Sequence, residues 1–206
     1  MLRTENNGVF CAACAMSFLL NLQWGMVTTH LPIYVHELGG SPLEVALIFT
    51  VFAGLISFTQ PVWGFISDHL GKRKVFMVLG MFGLTPILLL ISTQTNTMPL
   101  IVLRGSTAIF VGATVPATLA LISDISPGKM MGKNLGINSL FDTAGFAVGP
   151  IIGGVIADLY GFARLWIFVA GICFAGGSTI PISWFRPAQS EEKPRRATRP
   201  RILQSR

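Results

Sequence analysis

Six long apolar runs separated by short polar turns constrain this chain more than any other feature. They cover about Val9–Leu31, Leu43–Ile66, Val75–Ile91, Met98–Ile122, Leu135–Ile156 and Leu165–Phe185. Most hold close to the ~20 residues that carry a helix across a bilayer core. Val75–Ile91 is the shortest, but no charge follows it until Arg104, so it can extend. Hydrocarbon offers backbone N–H and C=O groups no water, so a spanning segment must pair them internally, as an α-helix does. The predicted fold class is an all-α membrane protein with six transmembrane helices. Charge content agrees: 12% of the residues are charged and 51% hydrophobic, whereas a soluble domain carries about 25% charged residues. So little polar surface cannot coat a water-soluble globule of this length, and membrane lipid is the first expected partner.

The connecting segments Gly39–Pro42, Asp68–Lys74, Ser92–Thr97, Asp124–Lys133 and Asp158–Arg164 are short and hold turn residues. Lys and Arg placement orients the spans, because basic loops stay on the cytoplasmic side. With six spans, Arg3, Lys72, Arg73, Lys74, Lys129, Lys133 and the seven basic residues from Arg186 onward share one side, and only Arg164 lies on the other. Both termini are therefore expected inside: residues 1–8 as a cytoplasmic N-terminus, 9–185 as the six-helix unit and 186–206 as a basic cytoplasmic linker or tail. The expected location is the cell membrane, multi-pass. The first run exceeds the roughly 7–15 apolar residues of a secretory signal and is read as a retained span. The tail is polar, basic and Pro-containing, the composition of a solvated juxtamembrane segment, with no nucleic-acid partner implied. Trp166 and Trp184 suit interfacial anchors. Cys11 and Cys14 lack the second pair a structural zinc site needs. They read as small helix residues, with no metal and no disulfide framework.

Gly64-x-x-x-Asp68-x-x-Gly71 follows the second run, and Gly154-x-x-x-Asp158-x-x-Gly161 follows the fifth. Pro61 and Pro150 precede the two copies. An odd number of spans separates them, so the same local sequence sits on opposite membrane faces. That is the mark of a three-plus-three inverted repeat.

The stretch GFISDHLGKRK (Gly64–Lys74) resembles the signature between the second and third spans of the major facilitator superfamily, written G-x-L-x-D-R-x-G-R-R. Gly64, Asp68, Gly71, Lys72 and Arg73 fit it, with Ile66 in place of Leu and His69 in place of the first basic residue. The family's fifth-span antiporter motif, G-x8-G-x3-G-P-x2-G-G, is matched at every fixed position by Gly136, Gly145, Gly149, Pro150, Gly153 and Gly154. A fourth-span signature is met in part, at Arg104 and Gly112. The resemblance covers the chain to about Phe185 and only the N-terminal six spans of a family that normally has twelve or fourteen, so it implies one half of that fold. It also implies a charge relay of Asp68, Lys72, Arg73 and Asp124 that holds the outward-facing state, and, through the fifth-span motif, proton-coupled export.

At ~100° per residue, Asn138, Asp142, Gly145, Gly149 and Gly153 fall within about an 80° arc of the fifth helix. Glycines on one stripe admit a second helix closely, and Pro150 can kink the span. The stripe is a packing face whose partner need not be in this chain. Arg104 and Asp142 are counted as the ionisable side chains within the spans, where such groups face a cavity or a partner. About 12 Å separates their expected depths, so a direct salt bridge is not expected and each is read as facing a central cavity. Arg104 is the candidate substrate or coupling residue and Asp142 the candidate proton carrier. Asn21 and Gln23 are the polar candidates of the first span.

No P-loop, nucleophile elbow or His/carboxylate metal spacing occurs, so the reading calls for no enzyme, ATP or cofactor. The expected function is transport of a small solute of unknown identity, by proton-coupled efflux. The alternative is a non-transporting six-span scaffold or truncated remnant. A transporter of this kind needs a second six-span half, expected either in the same polypeptide or as a separate chain.

Overall fold

A computed structural model describes residues 2–126 and 128–179. The expected tail 186–206, Trp184 and the end of the sixth run lie outside the described residues. Six helices follow one another: α1 (Leu2–Glu37), α2 (Pro42–Leu70), α3 (Arg73–Ser92), α4 (Met98–Ile125), α5 (Met131–Tyr160) and α6 (Phe162–Ser178). The first five are each long and apolar enough to cross a bilayer, and α6 is a shorter apolar helix of 17 described residues.

The helices run past the apolar cores read from the sequence, because a helix satisfies its own backbone whether hydrocarbon or water surrounds it. Their ends are set by local chemistry instead. Ser41 opens α2 as a full capping box: its side chain accepts from Glu44 N, and Glu44 accepts from Ser41 N at 2.7 Å. Gly71 ends α2 at φ 62°, its N–H donating to Ser67 O. Gly161 ends α5 at φ 80°, its N–H donating to Ala157 O. Both take the positive φ that a Cβ disfavours. The segment Asp158–Arg164, expected as a loop, is thereby reduced to the single residue Gly161 between α5 and α6.

Of the pairs adjacent in sequence, only α3 and α4 pack extensively. α1 lies along α5, α4 sits between α2 and α3, and α3 lies along α6. The core is formed by residues such as Met16 and Met26 of α1, Met81 and Leu84 of α3, Ile122 of α4 and Trp166 of α6. Trp166 corrects an expectation. It is fully buried and its ring lies 5.6 Å from that of Tyr34, so it is a core residue rather than an interfacial anchor. Its position on the inward face of α6 decides this. The helices differ in how much they bury. In the most apolar window of α1, 56% of residues are buried, against 11% in α2 and 17% in α5. Cys11, Cys14 and Cys173 are all free thiols.

Candidate functional site: a polar cavity beside the glycine seam

The fifth-helix glycines meet α1, so the partner of that packing face is inside this chain. A Cβ on Gly145 would run into Phe18 O, with Leu22 N at 3.0 Å. One on Gly149 would run into Leu22 O, with Met26 N at 3.0 Å and Gly25 Cα at 3.2 Å. One on Gly153 would lie 2.7 Å from His30 Cε1. Residue numbers rise together on both sides of this seam, so α1 and α5 run parallel. Most of the opposing atoms are backbone, and no rotamer change can make room. Gly136, although part of the same motif, is exposed with nothing within 4 Å of its Cβ position.

The seam has a reciprocal glycine on α1. Pro150 lacks an N–H, so the carbonyl of Phe146 loses its i→i−4 donor. Gly25 fills that point so closely that a Cβ there would lie 2.5 Å from Phe146 O and 3.0 Å from Pro150 Cδ. Gly25 belongs to no quoted motif. The signal that could have found it is its small size on a span with polar residues four before and two before it.

Next to the seam lies a cavity of about 260 Å³, walled by α1, α2, α4 and α5. Its polar lining is Ser17 and Asn21 from α1, Gln60 from α2, Thr118 from α4, and Asn138 and Asp142 from α5; Trp24 and Phe146 add aromatic walls. Asp142 joins the two helices. Its Oδ1 accepts from Asn21 Nδ2 at 2.7 Å and its Oδ2 from Asn138 Nδ2 at 3.0 Å. Asn21 also donates to Ser17 O at 3.0 Å. Asn138 is 1% exposed, and its Oδ1 has no partner among the described residues. Of the four transport candidates, Asn21 and Asp142 thus come together on the cavity wall. Gln23 does not: it is buried off that wall. Gln60 and Thr118 are lining residues that the sequence reading missed.

Arg104 is placed differently from its expectation. It is buried and does not line the cavity. Its guanidinium carbon lies 3.9 Å above the Phe52 ring, Nη1 donates to Thr107 Oγ1 at 3.3 Å, and Nε has no partner. Trp24, a cavity residue, packs edge-on with the same Phe52 ring, with ring centroids 5.4 Å apart. A ring face attracts a cation, by about 2 kcal/mol when water is excluded, which is how this site holds a guanidinium without an acid. Among the described residues no ion pair joins Arg104 to Asp142. A third ionisable side chain, His30, lies buried in the first span and was left out of the sequence count.

At the other end of the bundle, Arg73 opens α3 between two carboxylates. Its Nη1 lies 2.9 Å from Asp68 Oδ1 at the end of α2, and its Nε 2.5 Å from Asp124 Oδ2 at the end of α4. Lys72 is exposed at the α3 N-cap and joins no ion pair among the described residues. His69 stacks on Phe65. The two carboxylate side chains are 62% and 54% exposed, and exposed pairs are worth under about 1 kcal/mol. Arg73→Ala should therefore leave the thermal melting of the chain nearly unchanged. A large loss of stability would show that the clasp holds the fold together rather than biasing its state.

The chain as a whole is similar to known proteins. A family model described as Major Facilitator Superfamily matches residues 13–205. A multidrug resistance protein MdtG of Proteus mirabilis is 33% identical over 162 residues, covering 76% of this chain and 40% of that protein. An uncharacterized MFS-type transporter of Methanocaldococcus jannaschii is 33% identical over 152 residues, covering 74% and 39%. MdtG of Serratia proteamaculans is 27% identical over 183 residues, covering 85% and 44%. The chain spans about two fifths of the length of these relatives.

Proposed function

The chain belongs to the major facilitator superfamily, and from that premise we propose that it forms six spans of a secondary transporter that exports a small organic solute in exchange for protons. The observation that carries this reading is Asp142. A carboxylate on the wall of a cavity within the spans, bridging α1 and α5 through Asn21 and Asn138, can bind a proton, and doing so changes what it offers its neighbours. Charged, it accepts from both amides. Protonated, it becomes a donor on one oxygen, which then accepts more weakly, so its hold on one of them loosens. Both amides sit beside the glycine seam, so proton binding is coupled to how α1 and α5 meet. In this reading Arg104 senses the state of the cavity through Trp24 and Phe52, and the Asp68–Arg73–Asp124 clasp biases the bundle toward one state by tying three helix ends together. The names of the matched relatives support export over a non-transporting scaffold.

Several further assignments belong to the same proposal. The pairing of α1 with α5 and of α4 with α2 supports a three-plus-three repeat, as do the equivalent glycine caps at Gly71 and Gly161. The clasp and Lys72 lie on the basic, cytoplasmic side, as do both termini. The sparsely buried helices α2 and α5 present the faces for a second six-span half, in the same polypeptide or another, and lipid covers the rest. The membrane is the cell membrane, and residues 186–206 serve as a basic cytoplasmic linker or tail. The role assigned is transport, with no catalysis and no cofactor.

The test uses everted membrane vesicles from cells making the protein. Ethidium uptake into acidified vesicles should follow the imposed proton gradient and collapse with a proton ionophore. Asp142→Asn, which keeps the shape but cannot lose a proton, should cut gradient-driven uptake by about tenfold or more, the scale of losing a positioned proton-transfer group. Normal gradient-driven uptake by that variant would remove Asp142 from the proton path.

A further inference from the structure

One titratable group on the α1–α5 seam has no role in the scheme above. His30 is 5% exposed and lies within the first spanning helix, where an ionisable side chain is costly and marks function by default. Its Nδ1 lies 2.8 Å from the carbonyl oxygen of Met26. A carbonyl only accepts, so Nδ1 carries the hydrogen and Nε2 keeps the basic lone pair. Among the described residues Nε2 has no hydrogen-bond partner.

The imidazole lies over two glycines of the fifth-helix motif. A Cβ on Gly153 would lie 2.7 Å from Cε1 and 2.9 Å from Nδ1; one on Gly154 would lie 3.6 Å from Nε2. Gly153 is therefore a requirement of the ring as much as of the helix crossing, and the basic nitrogen is left facing α5. What α5 offers there is glycine backbone, whose carbonyls are engaged in the helix's own hydrogen bonds.

We propose that His30 is a proton-binding site at which protonation of Nε2 loosens the α1–α5 seam. The step is a simple addition: a proton from water takes the Nε2 lone pair, the Nδ1–H bond to Met26 O stays, and the ring becomes a cation with a second N–H donor. The charge has no counter-ion and the new donor no acceptor on the seam, so both favour an arrangement in which the helices part and water solvates the ring more fully. Other titratable or charged side chains on the helices packed against α1 include Glu44 on α2, Arg104 on α4, Lys133, Asp142, Asp158 and Tyr160 on α5, and Arg164 and Cys173 on α6, with Tyr34, His36 and Glu37 on α1 itself. None of them forms an ion pair with His30 among the described residues. Asp142 is eleven residues before Gly153, about 16 Å along the helix, so the two proton sites are distinct. The inference rests on the proton-coupled reading above, to which it adds a second site on the other side of the seam.

The test places spin labels on the exposed residues Thr29 and Val155, as Thr29→Cys and Val155→Cys, in the full chain with Cys11, Cys14 and Cys173 replaced by Ala. Distances are measured in lipid bilayer discs across the interval in which an imidazole changes charge, about pH 8 to 5. The distribution should shift to longer distances as pH falls. The shift should persist in His36→Gln and vanish in His30→Gln, which keeps a polar side chain that cannot charge. A distribution that does not move with pH, or an equal shift in His30→Gln, overturns the proposal. The independent measurement is ¹⁵N-imidazole resonance of the otherwise unmodified chain: a His30 Nε2 that stays unprotonated across the same interval overturns it as well, whether or not the variants fold. Vesicle transport separates the two readings. Gradient-driven uptake with a pH-inert seam sinks His30 and leaves proton-coupled export standing, and a seam that responds through His30 without gradient-driven uptake does the reverse.

Discussion

Gly149→Val is expected to force α1 away from α5 and to lower the thermal stability of the chain by about 2–3 kcal/mol, the cost of overpacking a close contact. The reason is the chemical nature of what the new side chain meets. A Cβ at 149 runs into Leu22 O, with Met26 N at 3.0 Å and Gly25 Cα at 3.2 Å. All three are backbone atoms of a helix, so relief requires moving the whole of α1. In lipid the parted helices gain no compensating hydrophobic burial, because close packing is itself what favours their association. Gly149→Ala should show a smaller loss in the same direction. The internal control is Gly136→Ala. It changes a residue of the same motif that has open space around it, and it should be neutral or raise stability by up to about 1 kcal/mol through helix propensity. Melting curves in detergent for the three variants decide the matter. Equal losses at 136 and 149 would mean that the motif acts through something other than the α1–α5 crossing.

Arg104→Met carries the second large effect, and its sign is opposite. Arg104 is buried with an unpartnered Nε, one hydrogen bond from Nη1 to Thr107 and a ring face in place of an acid. Replacing buried ionic groups with well-packed apolar residues of similar volume is often stabilising by about 1–4 kcal/mol, and here there is no acid for the replacement to strand. Methionine fills most of that volume and keeps a favourable contact with the Phe52 ring. The expected result is a higher melting temperature together with loss of gradient-driven uptake, the pattern of a residue kept for function at the cost of stability. A lower melting temperature would instead identify Arg104 as part of what holds α2 against α4.

Much of this was readable in the amino-acid sequence. Apolar run length located all six helices, and the arc of Asn138, Asp142, Gly145, Gly149 and Gly153 marked a face that the structure does bury, Asp142 only in part. Periodicity tells which residues share a face, but it carries no information about which helix lies opposite. The stripe's partner in α1, the matching Gly25 and the burial of Trp166 therefore appear only in three dimensions. Depth estimates have the same limit. They kept Arg104 and Asp142 apart, but they could not show that Arg104 points at Phe52 while Asp142 lines the cavity. His30 was hidden for another reason: it sits at the end of an apolar run, where a polar residue reads as the start of a loop, while α1 continues to Glu37.

The parallel seam also has a consequence for how the chain is made. Asn21 and Asp142 are 121 residues apart in sequence. At synthesis rates of about 5–20 residues per second, α1 exists for roughly 6–24 s before its partner emerges. Through that interval its glycine face and its Asn21 amide have only lipid, the translocation machinery or the helices already inserted to face. The bundle cannot close in the order in which it is written: the first helix waits for the fifth and then for the sixth, whose Trp166 packs on Tyr34.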